Sequence, residues 1–199
     1  MSLPHILLML LEEPTSGYGL KSEFEAGAMT FWPALPSQIY ATLQKMEDRG
    51  LLTSKREPSS RGPDRRVYHR TDAGWAELEE WLRAGPWTGR ERMAYLAQMS
   101  GIGLLDDPAV GIEFLVQLRR WFTERRDYLT GIEEELLADA TPDTLDNAAF
   151  FDWAALHMGL SALAARIQCC TELLRILERR HPGLVVAEAV KVGPQMAQP

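Results

Sequence analysis

Apolar and polar positions follow two periods along the chain, and the switches between them mark its elements. Residues 4–11 are apolar nearly all round and predict a short buried helix. Glu12, Glu13 and Pro14 end it, since proline disfavours helical geometry in the residue before it. Thr15 and Ser16 are good N-caps for a second helix to about residue 26, with Leu20 and Phe24 four apart on one face and Gly27 at its stop. Pro33 and Pro36 bracket a linker. A third helix is expected from Pro36 or Ser37 to Gly50, glycine being favoured just past a helix end. Ile39, Leu43 and Met46 recur at i, i+4 and i+7 and form its inward face.

After Gly50 the period shortens. Residues 51–56 and 65–70 read as strands, separated by the turn-forming run Pro58-Ser59-Ser60-Arg61-Gly62-Pro63-Asp64. In the second strand Val67 and His69 are expected on one face and Tyr68 on the other. Thr71 caps a fourth helix over residues 72–83, with Trp75, Leu78 and Leu82 expected inward, and Gly85-Pro86 ends it.

The second half reads as helical. One helix is expected over residues 91–101. Another starts at Asp106-Asp107-Pro108 and carries Phe114, Leu118, Trp121, Tyr128, Ile132 and Leu136 on one seam. Thr141-Pro142-Asp143 turns the chain into a last helix over residues 144–180. That helix holds Trp153, Leu156, Leu160, Leu163, Ile167, Cys170, Leu174 and Leu177, spaced alternately three and four apart. A 3.5-residue period is the seam of a helix packed along a partner. At 1.5 Å per residue the helix would be about 55 Å long. Two antiparallel helices bury one seam between themselves; the remaining apolar side chains need either an intramolecular bundle or a second copy of the chain.

Three helices, a hairpin and a further helix in the first 85 residues spell a winged helix-turn-helix. The expected architecture is mainly α. Residues 1–85 would form a winged module with a two-stranded wing, 86–181 an antiparallel helical domain and 182–199 a tail. The 199 residues are 46% apolar and 25% charged, an ordinary soluble composition. No uninterrupted apolar run reaches the roughly 18 residues of a membrane span. Neither a basic segment before residues 6–11 nor a small-residue cleavage site after them suggests a signal peptide. Cys169 and Cys170 are adjacent and point different ways in a helix, so a reducing cytoplasm is the simplest setting.

The net charge of −7 hides an uneven distribution. Residues 45–70 hold eight bases and four acids, +4 in all, whereas residues from 86 onward hold 11 bases and 16 acids, −5 in all. A basic stripe on an acidic body is the footprint of a polyanion binder acting at one end. With Ile39, Leu43 and Met46 inward, the third helix turns Ser37, Ala41, Gln44 and Lys45 outward, flanked by Gln38 and Tyr40. Glutamine can bond adenine, alanine can touch a thymine methyl, and lysine can reach guanine or phosphate. Asp48 also faces outward and would repel phosphate. In the hairpin, Arg61 at the tip and Lys55, Arg56, Arg65 and Arg66 in the arms are candidates for phosphate or a groove, though strand alternation keeps them off a single face. Tyr18 could donate to phosphate or pack against the third helix.

The chain resembles the PadR-like family of bacterial transcriptional regulators in "ILLMLLEEPTSGYGLKSEFE", "FWPALPSQIYATLQKMEDRGLL" and "RGPDRRVYHRTDAG". Gly17-Tyr18-Gly19-Leu20, Phe31-Trp32-Pro33, Gln38-Ile39-Tyr40 and the strand from Arg65 into the Thr71-capped helix carry the likeness. The resemblance implies a homodimeric repressor of the long form, which dimerises through its helical domain and binds double-stranded DNA at an inverted-repeat operator in the cytoplasm. It makes Trp153, Leu156, Leu160, Leu163, Ile167 and Leu174 the expected dimerisation positions. It also implies release of DNA by a small aromatic or hydrophobic effector, for which Trp81, Trp87, Tyr95, Trp121, Phe122 and Trp153 are candidate walls.

No enzyme is expected. His5, His69, His157 and His181 are scattered, and neither HExxH, GxSxG nor a phosphate-binding loop occurs. No catalytic residue, cofactor or metal site is assigned, and no membrane is expected as a partner. The alternative reading is a winged-helix module that regulates through a protein partner instead of DNA.

Overall fold

The computed structural model describes residues 2–26, 34–58, 64–86, 88 and 93–184. It divides into two compact units, Met1–Gly89 and Arg90–Pro199. The expected contributions of Arg61, Trp87, Phe31-Trp32-Pro33 and the tail after residue 184 lie outside the described residues.

In the first unit the order is α1 (Leu3–Leu10), β1 (Thr15–Ser16), α2 (Gly17–Ala26), α3 (Pro36–Asp48), β2 (Leu52–Glu57), β3 (Arg65–Arg70) and α4 (Asp72–Arg83). Ile6, Leu7 and Leu8 of α1 meet Leu20 and Phe24 of α2, the inward triad Ile39, Leu43 and Met46 of α3, and Leu51, Leu52, Tyr68 and Leu78 in one core. The end of α3 follows from Gly50, at φ +73°, a conformation that costs glycine little. Gly50 N–H donates to the Glu47 carbonyl at 2.9 Å and Leu51 N–H to that of Met46 at 3.0 Å, while buried Leu51 and Met46 join the same core. These are the paired bonds and hydrophobic contact of a Schellman ending. At α4 the Thr71 hydroxyl accepts from Gly74 N–H at 3.1 Å, as an N-cap should.

The sheet has three strands in the order β1-β3-β2, all antiparallel, so the expected two-stranded wing gains a short third strand beside the middle of β3. Thr15 pairs with Tyr68 and Ser16 with Val67. Ser16 is also the predicted cap of α2, its hydroxyl accepting from Gly19 N–H at 3.0 Å. Val67 and Tyr68 are both buried. Two inward expectations for α4 fail: Trp75 and Leu82 are about half exposed, and only Leu78 among the three is buried. Trp75 instead lies against Arg70, with the guanidinium carbon 4.7 Å from its ring centroid.

The second unit holds α5 (Ala94–Ile102), a 3-10 turn, α6 (Pro108–Leu136), a second 3-10 turn at Pro142–Thr144 and α7 (Asn147–Arg180). With 34 residues, α7 is about 51 Å long. Asp107 and Asp146 cap α6 and α7, accepting from Ala109 and Ala149 N–H. The α7 seam lies against α6: Leu163, Cys170 and Leu174 are buried, with Leu156, Leu160, Ile167 and Leu177 packed around them. On α6 the facing stripe is Ile112, Leu115, Val116, Phe122 and Leu129. The expected α6 seam is therefore displaced. Leu118 and Ile132 join the core, but Trp121 and Tyr128 stand largely exposed.

Of the expected dimerisation positions, Leu163 and Leu174 are buried in the chain's own core, whereas Trp153, Leu156, Leu160 and Ile167 are half-buried. A second stripe on α7, Phe151, Ala155, Met158, Ala162, Ala165, Cys169 and Ile176, faces away and is exposed. It too follows spacings of three and four, through Glu172. By length and average composition alone, α7 is long and apolar enough to cross a membrane, although Asp152, His157 and Arg166 interrupt its apolar run. Cys169 and Cys170 are both free thiols, one exposed and one buried. Burial raises the Cys170 thiol pKa above its ordinary value, with Cys169 adding to the shift.

Candidate nucleic-acid interface

Helix α3 presents a continuous polar face. Ser37, Gln38, Tyr40, Ala41, Gln44 and Lys45 are all exposed, opposite the buried triad. Two of these side chains have structural duties. The Gln38 amide oxygen accepts Leu35 N–H at 2.9 Å and so holds an otherwise unpaired donor at the start of α3. Gln44 donates to Asp48 at 3.0 Å and accepts from Arg66 at 3.5 Å. Tyr40 lies close over Gly17, where a Cβ would come within 2.8 Å of the ring; glycine there lets α2 start beneath the tyrosine. The neighbouring Tyr18 is 76% exposed, which disfavours packing as its main role.

The wing register sorts its cations. Arg56 pairs with Arg66, Lys55 with Val67 and Glu57 with Arg65. Directly opposed residues share a face of an antiparallel pair and successive residues alternate. Arg56 and Arg66 therefore share the face carrying Ser54 and Tyr68, while Lys55 and Arg65 share the other. Arg65 is ion-paired with Glu57 at 3.2 Å. Arg66 reaches α3, pairing with Glu47 and donating through Nε to the Ser54 hydroxyl at 2.6 Å. The Ser54 hydroxyl in turn donates to Glu47 at 2.6 Å. The Arg66 guanidinium also lies 5.4 Å from the Tyr68 ring centroid. Burial raises the Tyr68 phenol pKa above its usual value, with Arg66 acting in the opposite sense. Glu47 and Ser54 were not among the expected site residues; the available signal was a pair of acids, Glu47 and Asp48, at the end of a helix surface that otherwise displays amides and a cation.

Arg70 is not part of a DNA-facing set. Its guanidinium donates to the Leu8 carbonyl at 2.9 Å. Arg49 is likewise committed, holding both carboxylate oxygens of Glu77 at 2.8 and 2.9 Å.

The expected effector walls separate into groups. Trp81 belongs to the first unit and stacks on His5, with centroids 4.7 Å apart and planes 7° from parallel. In the second unit Tyr95, Phe122 and Trp121 form successive edge-to-face contacts at 5.6 and 5.3 Å. Arg166 lies 5.8 Å from the Phe122 centroid. Trp153 is elsewhere: its indole N–H donates to Glu133 at 3.0 Å, and its ring meets Phe150 and His157. Glu133 lies three helical turns beyond Trp121, about 18 Å along α6. Among the described residues, no group of three or more His, Cys, Asp or Glu could hold a metal ion.

A recognition-type helix with an exposed polar face, followed by a basic antiparallel wing, defines a winged-helix transcriptional regulator. Residues 6–80 match the Transcriptional regulator PadR-like family. Over 192 residues the chain is 30% identical to the probable transcriptional regulator Rv1176c of Mycobacterium tuberculosis, covering 91% of this chain and all of that protein. It is 27% identical to the negative transcriptional regulator PadR of Bacillus subtilis over 175 residues, 87% of this chain and 96% of the other. The fold is similar to Bacillus subtilis PadR solved in complex with operator DNA, with TM-score 0.74, 23% identity and coverage of 89% and 99%. The same protein solved with p-coumaric acid gives TM-score 0.71, 23% identity and the same coverage. The chain belongs to the PadR-like family of transcriptional regulators.

Proposed function

We propose that the protein is a homodimeric repressor that binds inverted-repeat DNA through α3 and the wing, and releases it on binding a small aromatic or hydrophobic effector. The exposed face Ser37, Gln38, Tyr40, Ala41, Gln44 and Lys45, set beside Arg56 and Arg66, carries the DNA reading. Base edges are read by polar side chains on a rigid helix, and phosphates by cations around it. The negative regulator and the operator complex among its relatives support repression through DNA. On this reading the protein acts in the cytoplasm, without a catalytic step, cofactor or membrane.

The second apolar stripe of α7 supports the dimer. Phe151 and Met158, 63% and 75% exposed, sit in line with Ala155, Ala162 and Ala165, whose small side chains permit close approach of another helix. A second copy would cover this stripe and obey the same 3.5-residue period. For the effector, Tyr95 and Trp121 are the candidate aromatic walls, each edge-to-face with Phe122, which is itself buried in the core and has the Arg166 cation beside it. That combination suits a planar aromatic carboxylate, a class represented by the p-coumaric acid bound to the PadR relative.

The test is selection of duplexes from a random-sequence pool by the full chain, followed by gel shift at two salt concentrations. The expected product is an inverted repeat with half-sites about one helical turn apart, weakened steeply by salt. Failure to enrich any sequence would favour regulation through a protein partner.

A further inference from the structure

Glu47, Ser54 and Arg66 close a ring of polar contacts across three elements. Glu47 sits on α3, Ser54 on β2 and Arg66 on β3. Glu47 accepts the Ser54 hydroxyl through Oε1 and pairs with Arg66 through Oε2. Arg66 Nε donates to the Ser54 oxygen, and its remaining terminal nitrogen reaches the Gln44 oxygen at 3.5 Å. Ser54 is thus donor to one ionic partner and acceptor from the other.

The chemistry of the ring requires a fork. One guanidinium serves hydroxyl, carboxylate and amide from three nitrogens held in a plane, which an ammonium cannot reproduce. The ring also joins the helix displaying the amide-rich face to both arms of the wing. Between these elements, β2 follows α3 directly through Gly50 and Leu51, so the covalent link fixes only one end of the wing. The polar ring supplies a second attachment, two residues into β2 and one into β3.

We propose that Glu47 and Arg66 are positioning residues for sequence recognition: their ring with Ser54 sets the wing against α3 so that both dock on one duplex in register. The inference rests on the DNA-binding reading above. It makes Glu47 favourable to specific binding although its charge opposes DNA, and it assigns Arg66 a role beyond that of a phosphate cation.

The experiment measures anisotropy of a fluorescent duplex selected by the wild-type full chain, and of a scrambled duplex of equal composition, across a salt series. Glu47→Gln removes a negative charge beside the exposed face of α3. Acting through charge alone it would tighten both duplexes equally. Acting through position it lowers the ratio of selected to scrambled affinity by about tenfold, an effect typical of a lost coupling within one network. Arg66→Lys keeps the charge but not the fork, and should lose the same discrimination while retaining the salt slope. Ser54→Ala, which changes no charge, should lower the ratio in the same direction. The double variant Glu47→Gln, Arg66→Lys should be no worse than either single one. Circular dichroism melting confirms that each variant is folded; should one unfold, the Ser54→Ala ratio decides.

Preserved discrimination in folded Glu47→Gln, or full rescue by lysine at position 66, overturns the proposal. A wild-type chain that enriches no duplex overturns the DNA-binding reading and this inference together. A wild type that discriminates between the duplexes while the variants match it overturns the inference alone.

Discussion

The guanidinium of Arg70 donates to the backbone carbonyl of Leu8 at 2.9 Å, joining the last strand of the wing to the last turn of α1. That carbonyl is one of the four that a helix end leaves without an intrahelical partner. Arg70→Ala should therefore lower stability by about 1–3 kcal/mol, the cost of leaving a shielded acceptor unpaired. It should leave the salt slope of DNA binding unchanged, because Arg70 is occupied within the fold. Urea unfolding and a salt titration report the two quantities separately.

Gly74 is held against the backbone of Leu51. A Cβ there would overlap the Leu51 carbonyl oxygen, and Leu8 stands close on the same side. The obstacle is backbone that already accepts Thr71 N–H at 3.1 Å, so it cannot rotate aside as a side chain would. Gly74→Ala is expected to cost about 1–3 kcal/mol, as overpacking does, despite alanine's better helix propensity. An increase in the denaturation midpoint would contradict this packing.

The two stripes of α7 should fail differently. Met158→Glu on the exposed stripe should yield a folded monomer where the wild type sediments as a dimer at micromolar concentration. Leu163→Asp, 6% exposed against α6, should lose helical signal as well, because it buries a charge without a partner. Analytical ultracentrifugation with far-ultraviolet circular dichroism separates the outcomes. A wild type that is monomeric under these conditions removes the basis for the dimer.

Wing register leads to a comparison of neighbouring cations. Arg56 shares its face with Arg66, which reaches α3, and Lys55 does not. Arg56→Ala should reduce the salt slope by about one unit per subunit, and Lys55→Ala by less. Equal slopes for the two variants would place both wing faces at the same distance from phosphate.

Alkaline pH should weaken the second unit through Cys170. Burial raises its folded pKa above the ordinary thiol value of 9.0. The neutral thiol is accommodated in both states below that value. As pH rises past it, the unfolded chain ionises first, and stability falls until the folded thiol also ionises. Cys170→Ala should flatten this decline in denaturant titrations between about pH 8 and 11, whereas Cys169→Ala should leave more of it.

Much of the first unit was legible because its signals are local. Thr71 caps α4 at the predicted residue, and the Ile39, Leu43 and Met46 triad is buried as its spacing requires. β1 was not legible: Thr15 and Ser16 become a strand only by pairing with Val67 and Tyr68, some fifty residues away. On α6 two stripes repeat at similar spacing. The spacing admits either; Ile112, Leu115 and Phe122 are the ones buried, whereas the larger aromatics Trp121 and Tyr128 stay exposed. Periodicity identifies a stripe but leaves its partner open. The candidate recognition face was legible in outline, yet the bonds of Gln38 to Leu35 and of Gln44 to Asp48 depend on rotamers and neighbours outside the pattern.

The third strand has a mechanical consequence. β1 covers β3 only at Val67 and Tyr68, so the sheet is three strands wide in the middle of the hairpin and two strands wide on either side, at His69–Arg70 and at Arg65–Arg66. A ribbon bends more readily where it is narrower. Variation in groove width along a duplex would be absorbed by flexing at the Glu57–Arg65 end, beyond the ring that ties Arg66 to α3.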